Sequence, residues 1–141
     1  MYTRPQYGFA YVASPYSSPD PHTREMRYTY AAKYTAERIA AGECVYSPIV
    51  HNHHLAKTFS LRGDFEFWRN FDLSMLACAY ELRILRIDGW GKSVGIAEER
   101  QFAVDRGIRV VYVCPPPVRP SPPSSSSPSS FPRHEKRTQN R

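Results

Sequence analysis

The chain has 141 residues, enough for one domain of ordinary size plus a tail but not for two full domains. Its net charge of +6 divides unevenly, since residues 1–114 hold 14 Lys/Arg against 12 Asp/Glu while residues 115–141 hold 5 against 1. A nearly neutral body excludes a broad phosphate-backbone groove and suits a small-molecule site, leaving any case for nucleic acid to the basic tail.

Gly8 to Ala13 is a compact apolar and aromatic run that stops at Ser14-Pro15-Tyr16-Ser17-Ser18-Pro19, the pattern of a buried strand ending in a loop. Asp20-Pro21 supplies a cap followed by proline at the first helical position, which predicts a helix to about Ala41, with Gly42 as its stop. Ala32, Ile39 and Ala40 are expected near its inner face. Cys44 to Val50 reads as a second short strand broken by Pro48, followed by a loop carrying His51, His53 and His54. Histidines at that spacing do not converge on regular structure, so they suggest substrate contact or plain loop polarity and no metal site.

Between Gly63 and Tyr80, Phe65, Trp68, Asp72, Met75, Leu76 and Ala79 trace one helical stripe with Asp72 in its middle. Either Asp72 serves chemistry, or the helix breaks near Asn70 and Asp72 caps a second segment from Leu73. Glu81 to Ile87 is the third strand. Asp88 to Gly95 then forms a Gly-rich turn into a helix capped by Ser93, running to about Arg106 and stopped by Gly107. Ile108 to Val113 is the fourth strand. On the helical wheel Glu99 falls among Gly95, Ile96, Phe102 and Ala103, whereas Glu98 falls with Gln101 and Asp105 and faces water. An inward carboxylate marks a functional site or pairs with a core-edge arginine.

Strands alternating with helices predict an α/β fold: a three-layer, flavodoxin-like or Rossmann-like parallel sheet of about four to five strands with helices on both faces. The domain is expected over residues 1–114 and a disordered Pro/Ser-rich basic tail over 115–141. Cys44, Cys78 and Cys114 are odd in number and sit in apolar surroundings, which reads as buried thiols in a reducing, cytoplasmic compartment. No run of ~18 apolar residues predicts a membrane span. Gly89 to Ser93 lacks the first glycine of a P-loop, where Arg86 stands, so an NTPase reading is weak.

Ala10 to Ser17, Ser47-Pro48-Ile49 with His51 and His53, Phe67-Trp68 with Asp72 and Met75-Leu76, and Gly89-Trp90 with Ser93, Gly95 and Glu99 together resemble the DUF1937 family. That family in turn resembles the nucleoside 2-deoxyribosyltransferase-like superfamily. The likeness spans Tyr7 to Val113. It implies cleavage or transfer of the N-glycosidic bond of a deoxynucleoside or nucleotide, with Glu99 as nucleophile on the anomeric carbon, Asp72 assisting proton transfer and Tyr11 orienting the nucleophile. Ser93 and Gly95 would hold the 5′ end. Candidate substrate contacts are completed by Ser14, Tyr16, Ser47, His51, His53, Asp88 and Trp90 on the three loops after the strands. The resemblance implies no metal or organic cofactor. It implies a homo-oligomer, because such transferases complete the site with a polar residue from a neighbouring subunit. The competing expectation is a non-catalytic module that binds or senses a nucleotide in the same crevice.

Overall fold

The computed structural model describes residues 2–118, and the expectation of a disordered tail falls mostly outside them. The elements run β1 (Ala10–Ala13), α1 (Pro21–Ala40), β2 (Val45–Tyr46), α2 (Pro48–Phe59), α3 (Phe65–Ala77), β3 (Glu81–Leu85), a 3₁₀ turn (Trp90–Lys92), α4 (Val94–Asp105) and β4 (Arg109–Val113). The four strands form one parallel sheet in the order β2-β1-β3-β4, so the fold is α/β and doubly wound, as the alternation predicts.

Strand side chains alternate between two apolar layers. Tyr11, Ala13, Leu82 and Ile84 pack against Leu73 and Leu76 of α3 and Ile96 and Ala103 of α4. Val12, Leu85 and Ile87 meet Tyr34 of α1 on the opposite face. That second face also buries charge: Arg83 is 2.8 Å from Glu81 and 2.7 Å from Glu43, an ion cluster near the amino ends of the strands.

Three expectations need correction. The predicted strand from Cys44 to Val50 is only Val45–Tyr46, and Pro48 opens α2 instead of breaking a ladder. Ser47 caps that helix, its Oγ accepting the Val50 N–H at 3.2 Å, so Ser47-Pro48 repeats the cap-and-proline signature of Asp20-Pro21. The three histidines therefore lie on a helix. The inner face of α1 is Ala31, Tyr34 and Thr35, while Ile39 and Ala40, its last two residues, are exposed. Finally, Cys44, Cys78 and Cys114 are free and exposed, each just outside an element rather than on its core-facing side. Among the described residues no helix is long and apolar enough to cross a membrane.

Candidate active site

The chain leaves β1 toward β2 and leaves β3 toward β4, so the loops at the carboxyl ends of β1 and β3 diverge and open a crevice between them. A cavity of about 720 Å³ occupies it, within the size range of small-molecule sites. Its wall comes from the loop after β1 (Ser14 to Ser17), from Pro48, Ile49, Asn52 and His53 of α2, and from Gly89 and Lys92 to Gly95. Phe65, Trp68 and Asp72 of α3 and Glu99 of α4 complete it.

Glu99 is 4% exposed, and no ion pair reaches it among the described residues, which removes the core-edge arginine alternative. Burial pushes its pKa up to about 8; the nearby Tyr11 hydroxyl pulls it down and the charge of Asp72 pushes it up. Glu99 is the sixth residue of α4, beyond the first turn where the helix dipole favours an anion, so burial prevails. Its Oε2 is buried without a hydrogen-bond partner, as is the Tyr11 hydroxyl. The two are near enough to influence one another but do not meet in hydrogen-bonding geometry. Burial also drives the Tyr11 hydroxyl well above its usual range, followed by the charges of Glu99 and Asp72.

α3 runs unbroken through Asn70, and its cap is Asp64, whose Oδ2 accepts the Phe67 N–H at 3.3 Å. Asp72 is thus no cap. It is 5% exposed, with a pKa raised to about 6 by burial and eased downward by a hydrogen bond from Asn52 and the proximity of His51. Two carboxyls titrating near 6 and 8 keep one proton between them around neutral pH, a state suited to acid–base work.

Seven of the residues expected at the site line the cavity together: Ser14, Tyr16, His53, Asp72, Ser93, Gly95 and Glu99. Ser14 is buried with its hydroxyl unpartnered. The Tyr16 hydroxyl and His53 Nδ1 are 2.7 Å apart. His53 Nε2 approaches Glu25 to 3.2 Å, but too poorly aligned for a hydrogen bond. The Ser93 hydroxyl accepts the Ile96 N–H at 3.2 Å. At Gly95 a Cβ would come within 3.1 Å of the Phe65 ring, so this glycine admits close packing of α4 on α3 whatever else it admits.

The other five lie off the cavity wall. Tyr11 is wholly buried behind it, and Ser47 is committed to capping α2. His51 stacks on Phe71 at 5.3 Å on the outer side of Asn52, Asp88 is exposed, and Trp90 packs on Tyr112.

Sequence reasoning missed Asn52, Tyr46 and Arg27. Tyr46 pairs with Tyr11 in the sheet, and its buried hydroxyl has no partner; burial and the charges of Asp72 and Glu99 raise its pKa. Arg27 lines the mouth, donating to Ser17 O at 2.8 Å. A helical reading of residues 48–59 would have placed Asn52 one turn after Pro48 on the inner face.

A family model described as a domain of unknown function, DUF1937, matches residues 8–114. The chain belongs to the DUF1937 family. The match spans all nine elements of this DUF1937 chain and both carboxyls of the site, and it ends where β4 gives way to the prolines. No curated protein matches the chain.

Proposed function

We propose that this DUF1937 protein cleaves or transfers the N-glycosidic bond of a deoxynucleoside or nucleotide through a covalent glycosyl intermediate on Glu99. The observation that carries the reading is the pair of buried carboxyls, Asp72 and Glu99, on the wall of one cavity, neither in an ion pair among the described residues. Paired carboxyls suit glycosidic chemistry, in which one attacks an oxocarbenium-like carbon and the other manages a proton.

In the proposed reaction the pair's one proton stands on Asp72, the minor arrangement at neutral pH, and the Glu99 carboxylate bonds to the anomeric carbon as the carbon–nitrogen bond breaks. The electron pair leaves with the base, which takes its proton from Asp72. Water or a second base then attacks the same carbon, gives a proton back to Asp72 and frees Glu99. The resemblance to the deoxyribosyltransferase-like superfamily supports these roles, with Tyr11 orienting Glu99. Under this reading the protein is a cytoplasmic homo-oligomer whose partner is a small molecule.

One observation favours the alternative of a non-catalytic nucleotide-binding module: with its pKa near 8, the Glu99 carboxyl is mostly protonated at neutral pH and is then no nucleophile. Incubation of the full chain with the four deoxynucleosides and their 5′-monophosphates distinguishes the two. Release of free base, seen by chromatography, is the expected result. Saturable binding by calorimetry with no base released favours the module.

A further inference from the structure

We propose that Asn52 and His51 form a positioning chain that orients Asp72 and sets the pH at which it titrates. The assignment of Asp72 to proton transfer rests on the function proposed above; the chain itself rests on geometry alone.

Asn52 Nδ2 donates to Asp72 Oδ1 at 3.2 Å, with both side chains buried. The other end of the same amide, Asn52 Oδ1, lies 2.7 Å from His51 Nδ1. An amide oxygen only accepts, so His51 must carry its proton on Nδ1. Turning the amide over would set its oxygen against the carboxylate and lose the bond to Asp72. Each link therefore dictates the next: Asp72 fixes the amide, and the amide fixes the histidine tautomer. The ring of His51 is braced in turn by stacking on Phe71 with the planes 14° apart.

The chain links α2 to α3, since His51 and Asn52 are consecutive on α2 while Asp72 and Phe71 are consecutive on α3. One oxygen of Asp72 is thereby committed, leaving Oδ2 for a substrate proton. The charged and titratable groups facing Asp72 are His51 from α2, Glu99 from α4, Tyr11 from β1 and Tyr46 from β2. Of these elements α2 alone contributes a hydrogen bond to it. A donor to the carboxylate favours its ionised form, so losing the donor raises the pH at which Asp72 loses its proton.

The test is a carbon-13 NMR titration of the Asp72 carboxyl in the full chain, which reads the chain whether or not the protein turns over a substrate. Asn52→Leu should move the Asp72 titration to higher pH by about one pH unit. His51→Leu should move it in the same direction by less, and His51→Gln, which keeps an N–H donor, should restore it. Should Asn52→Leu fail to fold, the two variants at exposed His51 carry the test. If deoxynucleosides are turned over, Asn52→Leu should also lower kcat with KM within about twofold and shift the alkaline limb of the pH profile upward. An Asp72 titration identical to the parent in Asn52→Leu and His51→Leu overturns the proposal. A shifted titration without any base release supports the chain while counting against the glycosidic function.

Discussion

At the scale of single residues, Glu99 is a carboxyl whose ionised form burial opposes. A carboxyl with ordinary solvation titrates near 4.5, and burial holds this one near 8. Below the lower value both folded and unfolded chains carry the proton, so stability is undiminished. Above it the unfolded chain ionises first, the folded chain holds more protons, and stability falls until the folded carboxyl ionises too. The loss is about 1.4 kcal/mol per pH unit through that window. Asp72, raised from 3.8 to about 6, adds a loss of the same sign over a narrower range. Glu99→Gln removes the larger of these two effects. Thermal unfolding of parent and variant from about pH 5 to 8 should show the variant gaining steadily on the parent by a few kcal/mol. A stability difference that stays constant with pH would show that Glu99 ionises freely in the folded protein.

At the scale of elements, the first turn of α4 is set by contact with α3. Gly95 leaves room for the Phe65 ring, which a Cβ would meet at 3.1 Å. Alanine at a helical position is otherwise favoured over glycine by about 1 kcal/mol, and here the ring opposes that gain. In a double-mutant cycle, Gly95→Ala should be more favourable in a Phe65→Leu background than in the parent by about 1 kcal/mol. Equal effects in both, measured by urea unfolding, would show that Phe65 yields without strain. Where elements are concerned the sequence was readable wherever one signal dominated: Asp20-Pro21 began a helix and Gly107 ended one as expected. It misled at Ser47-Pro48, where a cap-and-proline start is embedded in the apolar run Cys44 to Val50, and strand hydrophobicity outweighed the cap. That misreading put His51 and His53 in a loop and hid Asn52.

At the scale of the whole molecule, the two ends of the sheet have different work. The amino ends carry the Arg83 ion cluster, and the carboxyl ends at the β1–β3 divergence carry the cavity with Asp72 and Glu99. The fold class followed from alternating strand and helix patterns, and the inward position of Glu99 from helical periodicity alone. Contacts made across elements had no local signature: the amide link from Asn52 to Asp72 joins residues 20 apart, and the pairing of Tyr46 with Tyr11 depends on β2 lying beside β1. The function proposed for this molecule stands on one covalent bond, and that bond can be weighed. Parent, Glu99→Gln and, as a control on the same helix, Asp105→Asn should be incubated with deoxynucleosides and their monophosphates, quenched in acid and analysed by intact-protein mass spectrometry alongside assay of free base. The account predicts a glycosyl adduct and free base for the parent and Asp105→Asn, and neither for a folded Glu99→Gln. Base release by Glu99→Gln at the parent's rate would contradict it.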